Sequence, residues 1–208
     1  MKKKIPHFWK KAKKYLKNKD KKLGKIIDNY PNDFLFSKSD PFQTLARSIV
    51  GQQISVKAAQ SVWDKLVLKI GKLNPQKIID THKTSLKSVG LSRQKVEYLK
   101  FLSMAFKEKK IKIKSWKYMN DEEIIQDLIK IKGIGRWTAE MFLIFNLCRP
   151  DIYPVDDIGM IKGLCKIYKY EYPIKKEKLI QIGKKWKPYR SVATWYLWRS
   201  LDPIPVEY

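Results

Sequence analysis

Residues 131–139 read IKGIGRWTA, and the apolar positions on both sides of this stretch repeat at helical spacing. Gly133 and Gly135 interrupt one helical pattern and open the next. Glycine allows a tight backbone turn and lets a ligand approach with no Cβ atom in the way. N–H groups at the start of the second helix point outward and favour an anion. The stretch therefore predicts a hairpin between two helices that can hold a phosphate group.

An ordinary helix–helix turn is the alternative for this hairpin, because glycine is common in such turns. Leu128, Ile131 and Ala139 around the glycines, and the basic character of the chain, favour the phosphate site. Ile134 between the glycines can anchor the turn in the core. Thr138 lies one turn into the second helix, where its hydroxyl could add a bond to the phosphate.

Helical spacing continues through nearly the whole chain, and suitable N-cap residues precede several helical patterns. These caps are Asp40, Ser55, Ser92 and Asn120, the last with Glu123 in the arrangement of a capping box. The helix after Asn120 is expected to run to about residue 131. The stretch 109–114 alternates Lys and Ile, which fits a connecting loop better than a short strand. Because no strong strand pattern competes, the sequence predicts an all-α fold.

Two helical lobes are expected, with a cleft between them. One lobe comprises about residues 1–38 with 147–208, and the other about residues 39–146, with the hairpin at 128–146. The chain crosses between the lobes close to Asp157.

The net charge of +25 on 208 residues is the second strong signal. A surface this basic attracts polyanions, of which nucleic acid is the usual one. A drift toward lysine codons in an AT-rich genome would explain part of the excess. The hydrophobic fraction of 44% with seven Trp is sufficient for a folded core.

Cysteine and histidine are too few for several kinds of site. The chain has two Cys, Cys148 and Cys165, and two His, His7 and His82. These numbers exclude a four-Cys iron–sulfur cluster and a zinc deaminase site built from this chain alone. They also exclude a disulfide framework, so both cysteines are expected to be buried reduced thiols. No apolar run approaches the ~18 residues of a membrane span, and the N-terminus lacks the apolar core of a signal peptide. We expect a cytoplasmic protein, associated with the nucleoid if the source is prokaryotic.

Two adjacent carboxylates, Asp156 and Asp157, close the sequence YPVDD and stand just before Ile158. Taken alone, either is more readily explained as a helix cap. The same position suits catalysis, because a helix N-terminus favours an ionised carboxylate. An ionised carboxylate stabilises the oxocarbenium-like sugar that forms as a glycosidic bond breaks, and it can guide a water molecule onto that carbon.

Aromatic side chains form the third group of candidates. Large rings dominate protein cores, so most of these residues are expected to be core. A few could line a pocket and stack on a flipped base, and an indole face attracts a cationic base with ~0.5–2 kcal/mol. The residues are Trp137, Trp186, Tyr189, Trp195, Tyr196 and Trp198.

Three blocks of sequence carry a family resemblance. They are SIVGQQISVKAAQSV at 48–62, LIKIKGIGRWTAEMFLIF at 128–145, and the segment from YPVDDIGMIKG at 153–163 to WKPYRSVATWYLW at 186–198. In this order they resemble the helix-hairpin-helix DNA glycosylase superfamily and, within it, the alkylation-repair branch of 3-methyladenine DNA glycosylase II. The resemblance extends over roughly residues 40–201.

The resemblance implies roles for individual residues. It places the catalytic carboxylate at Asp157 and the residue that wedges into the DNA stack at Gln53. It implies a DNA phosphate held by the hairpin around Gly133, Gly135 and Thr138, often through a monovalent Na or K ion at the backbone. The implied base pocket is lined by Trp137, Met141, Ile158 and Trp198. No side-chain metal site and no iron–sulfur cluster are expected.

The resemblance also implies a reaction type. Superfamily members that cut the DNA strand carry a nucleophilic Lys where this chain has Trp137, so no Schiff base can form at that position. The implied enzyme is a monofunctional hydrolase of base excision repair. It flips alkylated purines of the 3-methyladenine type out of duplex DNA and leaves an abasic site. We expect it to act as a monomer.

Some positions depart from the family pattern. Lys132 replaces the Pro often found before the hairpin glycines, and Gln53 is polar where some members carry Leu. The sheet-bearing N-terminal domain of some relatives has no counterpart in residues 1–40.

Other functions stay open from the residues alone. The same fold could act on uracil, mismatched thymine or oxidised bases, although neutral bases need more leaving-group assistance. A non-catalytic DNA-binding module would use Asp157 only as a cap and the aromatics only as core. Charge does not exclude RNA, but the hairpin favours DNA.

Overall fold

The computed structural model describes residues 5–37, 40–111 and 113–202 of the chain. Within these ranges the regular structure is entirely helical, with twelve α-helices and one short 3-10 helix at Ile113–Ser115. The predicted all-α fold is confirmed. No helix in these ranges is both long and apolar enough to cross a membrane.

The chain divides into two compact units, Met1–Lys38 with Leu143–Glu207, and Ser39–Phe142. The predicted lobe boundary at residues 146 and 147 lies just after the helix Arg136–Phe145 ends. The described helices of the first unit are α1 (Trp9–Lys19), α2 (Lys21–Asn29), α10 (Ile158–Tyr168), α11 (Lys176–Lys184) and α12 (Arg190–Arg199). Those of the second unit are α3 (Pro41–Gly51), α4 (Val56–Ile70), α5 (Pro75–Asp80), α6 (Lys83–Lys87), α7 (Arg93–Lys107) and α8 (Asp121–Leu128). The boundary between the units falls within α9 (Arg136–Phe145), between Phe142 and Leu143. The cleft predicted between the lobes stays a prediction.

The four predicted N-caps of the second unit are confirmed. Asp40 Oδ1 accepts a hydrogen bond from Gln43 N at 3.1 Å, and Ser55 and Ser92 cap α4 and α7 in the same way. The capping box at α8 is complete, with both reciprocal bonds between Asn120 and Glu123 present. Each cap satisfies N–H groups that the first helical turn leaves without a partner.

Helix α8 is shorter than predicted. It ends at Leu128 instead of near residue 131, because the chain tightens into turns before the hairpin. Ile131 N donates to Leu128 O at 3.1 Å, and Ile134 N donates to Ile131 O at 3.0 Å. The apolar spacing continues through these turns, which is why it does not mark the helix end. The alternating segment 109–114 contains turns and the start of the 3-10 helix, with Lys112 outside the described residues, so a connecting loop is the better description.

The core of the first unit is built around α12. Trp195 and Tyr196 of this helix are almost fully buried, and Trp9 of α1 packs against Trp195 edge-to-face at 5.5 Å between ring centroids. Trp186 is also fully buried, whereas Tyr189 is partly exposed. With Trp198, four of the six candidate aromatics are therefore buried, as large rings usually are.

Asp20 is a buried carboxylate that the sequence patterns do not single out. It caps α2, accepting from Lys22 N and Leu23 N at 3.1 and 3.2 Å. Its second oxygen accepts from the Trp186 indole at 2.8 Å and from the Tyr168 hydroxyl, and it pairs with Lys185 at 2.6 Å. One carboxylate thus joins α2, α10 and the end of α11.

The two cysteines are free thiols, Cys165 buried and Cys148 half-buried. Burial raises the pKa of the Cys148 thiol to about 11, so it stays protonated at neutral pH.

Candidate carboxylate site and phosphate-binding hairpin

Asp157 lies at the N-terminus of α10, where it is the N-cap residue. Its Oδ1 atom accepts two hydrogen bonds, one from Met160 N at 2.6 Å and one from the Trp198 indole N–H at 2.7 Å. The residue is only 8% exposed. These contacts confirm the capping role of Asp157, and they fix the orientation of its carboxylate.

Trp198 is held beside Asp157 by contacts on two sides. Its indole N–H is bonded to the carboxylate, and its ring stacks on Phe145 with 5.7 Å between centroids and 15° between planes. It is 6% exposed, whereas Ile158, directly after Asp157, is 58% exposed. The structure thus brings Asp157, Trp198 and Ile158 together within one unit. Contact of the last two with a base stays a prediction.

Positions 133 and 135 of the hairpin are occupied by glycine for different structural reasons. Gly133 has φ of +97°, which is costly for residues with a Cβ atom, and a Cβ added there would lie 2.5 Å from Tyr98 Cβ. A Cβ added to Gly135 would meet no atom within 4 Å. The fold therefore requires glycine at 133, while the open space at 135 fits the close approach of a ligand.

Alanine substitutions separate these two requirements. We expect Gly133→Ala to lower the free energy of unfolding by about 1–3 kcal/mol, because it combines a left-handed backbone with a clash. Gly135→Ala is expected to leave stability nearly unchanged and to weaken binding to duplex DNA severalfold. Thermal unfolding and fluorescence anisotropy measure the two effects. Unaltered DNA binding by a folded Gly135→Ala protein would contradict a phosphate at this position.

Gln52, which the sequence patterns do not identify, ties the hairpin to the α3–α4 loop. Its side-chain amide donates to Gly133 O and to Thr138 Oγ1, both at 3.0 Å. Thr138 is only 1% exposed, so its hydroxyl serves inside the hairpin. A direct phosphate contact by Thr138 would use the hydrogen of its own hydroxyl, because the oxygen accepts from Gln52, and it stays a prediction. The sequence feature that could have identified Gln52 is its position: it is a polar residue directly after an apolar helical pattern and next to the proposed wedge, Gln53.

Gln53 is exposed at the tip of the same loop and has φ of +57°. A left-handed backbone is uncommon for a residue with a side chain, and such strain is frequent at functional sites. A pocket of about 350 Å³ lies beside it in the second unit. Its lining residues are Gln52, Gln53, Ser92, Gln94, Lys95, Tyr98, Gly133, Ile134 and Gly135. The proposed wedge and both hairpin glycines therefore share one polar pocket.

Two charged groups near this pocket are already engaged. The Lys95 ammonium donates to Val50 O at 2.7 Å, and burial lowers the pKa of Lys95. Arg136, the first residue of α9, forms two bonds to Glu122 at 2.8 and 3.0 Å and one to Glu140 at 3.2 Å. The bonds from Arg136 hold the pKa of Glu122 at about 2. Neither basic residue was a candidate from the sequence. Lys95 links α7 to the end of α3, and Arg136 links α9 to α8.

The other two candidates for the base pocket, Trp137 and Met141, belong to the second unit. Trp137 is half-buried in the first turn of α9, and Met141 is fully buried. Met141 is therefore a core residue in this structure. A pocket shared by these residues and Asp157 stays a prediction.

A monovalent cation at the hairpin would bind backbone carbonyl oxygens. The Gly133 carbonyl already accepts a hydrogen bond from Gln52, so such an ion would rely mainly on other carbonyls of the turn. Among the described residues, no group of three or more His, Cys, Asp or Glu side chains could hold a metal ion.

Comparison with known proteins identifies the family. Residues 46–188 match the model of the HhH-GPD superfamily base excision DNA repair protein. DNA-3-methyladenine glycosylase 1 of Schizosaccharomyces pombe is 32% identical, over 86% of this chain and 81% of its own length. The DNA-3-methyladenine glycosylase of Saccharomyces cerevisiae is 33% identical, over 90% of this chain and 78% of its own length.

Solved structures agree with this assignment. The Schizosaccharomyces pombe 3-methyladenine DNA glycosylase in complex with abasic DNA superposes with a TM-score of 0.82 at 31% identity, covering 91% of this chain and 95% of that one. The chain belongs to the HhH-GPD superfamily of base excision DNA repair proteins, as the sequence predicted. The predicted class of enzyme, a DNA glycosylase, is confirmed, and its partner is DNA.

Proposed function

We propose that this protein is a monofunctional glycosylase that excises alkylated purines of the 3-methyladenine type from duplex DNA. The observation that carries the proposal is the Asp157 carboxylate, which is held at a helix N-terminus by two N–H donors. Relatives that are about a third identical and carry the name DNA-3-methyladenine glycosylase support the choice of substrate.

Asp157 acts on the sugar in this proposal. As the bond between C1′ and the base nitrogen breaks, its electron pair leaves with the base and positive charge develops on the sugar. An ionised carboxylate stabilises that charge and positions a water molecule, whose oxygen bonds to C1′ while its proton is released. The fixed hydrogen bonds from Met160 and Trp198 keep the carboxylate oriented, so little reorganisation is needed during the reaction.

Alkylation makes the base a good leaving group. A purine alkylated at N3 or N7 carries positive charge and departs as a neutral molecule, so no strong general acid is needed. The same charge favours stacking on an indole face, for which Trp137 and Trp198 are the candidates. Gln53 would fill the gap left by the flipped nucleotide. Flipping costs a few kcal/mol, and least for a base that is already weakly paired.

The hairpin would hold the DNA backbone near the lesion. N–H groups around Gly133 and Gly135 would bind a phosphate, with a Na or K ion supplying positive charge if one is bound at the remaining carbonyls. Trp137 occupies the position at which strand-cutting members of the superfamily carry Lys, so this chain has no amine there for a Schiff base. The expected product is an intact strand with an abasic site. We also propose a monomer that acts on DNA in the cytoplasm, on the nucleoid in a prokaryotic cell.

Release of free bases from methylated duplex DNA tests the proposal. We expect 3-methyladenine or 7-methylguanine in the soluble fraction by chromatography, and strand breaks only after alkali treatment. Parallel duplexes with uracil, mismatched thymine or 8-oxoguanine are the controls. Release confined to one of these neutral bases would replace the proposed substrate, and strand cutting without alkali would contradict the monofunctional mechanism.

A further inference from the structure

Positive charge is concentrated in residues 10–25, which comprise most of α1 and the start of α2. This segment contains nine lysines and one aspartate, so 16 of the 208 residues carry eight of the 25 net positive charges. The single aspartate, Asp20, is buried and engaged by five donors, as described above. Among the described residues Asp20 pairs with Lys185, which lies outside this segment, and with none of the nine lysines within it.

Packing fixes the direction in which the lysines of α1 point. Trp9, Ala12 and Leu16 are buried and form one stripe along the helix. Trp9 contacts Trp195 and Tyr196 of α12, with ring centroids 5.5 and 6.1 Å apart. With 3.6 residues per turn, the opposite face of α1 is the lysine face.

The outer positions of this face are Lys10, Lys11 and Lys14, all exposed. The neighbouring Lys17 pairs with Asp28 at 2.5 Å. No carboxylate in the described part of the chain forms a salt bridge with Lys10, Lys11 or Lys14. Ammonium groups without ion-pair partners on an ordered helix are suited to a polyanion, because no internal bond must be broken when they bind it.

We infer that this outer face of α1 is a second DNA-binding surface, at which Lys10, Lys11 and Lys14 contact backbone phosphates of duplex DNA. Compact ammonium groups bind phosphates as point charges and do not read sequence. The surface is firmly linked to the carboxylate site, because α1 packs on α12 and Trp198 of α12 holds Asp157. It would raise the affinity for undamaged DNA and so retain the enzyme on DNA during its search for lesions. The inference rests on DNA as the partner and not on the identity of the excised base.

The salt dependence of binding to an undamaged duplex tests this surface. The association constant falls as the salt concentration rises, and each phosphate contact makes the slope of log K against log salt concentration steeper by about 0.9. We expect the triple variant Lys10→Gln, Lys11→Gln and Lys14→Gln to reduce this slope by about 2–3 relative to the wild type. Circular dichroism checks that the variant is folded. Because the DNA carries no damage, the result does not depend on base excision.

A matched control removes the same charge elsewhere. Lys65, Lys72 and Lys87 are exposed residues of the second unit, and replacing all three by Gln also lowers the net charge by three. This control is expected to keep the wild-type slope within about 0.5, since charges without a phosphate contact release few counterions. An unchanged slope in the α1 variant, or an equal decrease in both variants, would show that α1 is not a specific surface and would overturn the inference.

Discussion

Replacing Asp157 by asparagine is expected to slow base release by about 100–1000-fold while the fold and DNA binding persist. Asparagine keeps an oxygen that can accept from Met160 N and from the Trp198 indole, and it is as good an N-cap as aspartate. The substitution therefore removes mainly the negative charge, which the proposed mechanism uses against the developing positive charge of the sugar. Single-turnover base release with excess enzyme measures this effect without interference from slow product release.

Asp156→Asn is the control for this substitution. Asp156 is the adjacent residue, but it is exposed and pairs with Lys176 at 2.7 Å. An exposed pair of this kind contributes little, so a rate close to the wild type is expected. A full rate in Asp157→Asn would refute its catalytic role. If both variants bind DNA normally and the wild type also releases no base from any substrate, the chain would be a binding module in which Asp157 is only a cap.

Replacing Asp20 by alanine is expected to lower the free energy of unfolding by about 3 kcal/mol. The carboxylate is 4% exposed, and its loss leaves buried donors without acceptors, above all the Trp186 indole and the Tyr168 hydroxyl. Leaving buried polar groups unpaired costs more than an average hydrogen bond contributes. The N-cap of α2 is lost as well. Chemical denaturation of the wild type and the variant at neutral pH measures the difference.

The contribution of Asp20 to the free energy of unfolding is also expected to depend on pH. Burial acts to raise the pKa of Asp20, but bonds from Lys185, Tyr168 and Trp186 outweigh it and hold the pKa below its ordinary value of 3.8. Because the pKa is lower in the folded protein, the stabilisation that Asp20 contributes is fully present above its pKa in the unfolded chain. This stabilisation is lost as the pH falls through its pKa in the folded protein. The difference between wild type and Asp20→Ala should therefore be constant near neutral pH and shrink below about pH 4.

Asp28→Ala is the matched control on the same helix. Asp28 forms an exposed pair with Lys17, and such pairs contribute about 0.2–1 kcal/mol. If Asp20→Ala cost no more than Asp28→Ala, the carboxylate would not be the stabilising junction that its contacts indicate.

The local features of the fold could be predicted from the order of the residues alone. The caps at Asp40, Ser55, Ser92 and Asn120 were predicted because a side-chain oxygen bonds to an N–H only three residues away. The hairpin was predicted because two glycines interrupt the 3.6-residue period. The pair Asp156 and Asp157 was recognised as possible caps and candidate carboxylates from its place just before Ile158, and the family resemblance then singled out Asp157. Helix α2 was missed, since its cap, Asp20, stands among lysines that mask the pattern.

Which of these residues touch one another depends on how the helices pack. The bond between Trp198 and Asp157 joins residues 41 positions apart, and the bond from Gln52 to the hairpin joins residues 81 positions apart. The Asp20 junction reaches Trp186 across 166 positions. Such contacts depend on how the helices pack, which periodicity does not encode, because periodicity tells which face of a helix is buried but not what covers it. For this reason the aromatic pattern favoured a core role for Trp198, the family resemblance favoured a site role, and only packing placed its N–H on the Asp157 carboxylate.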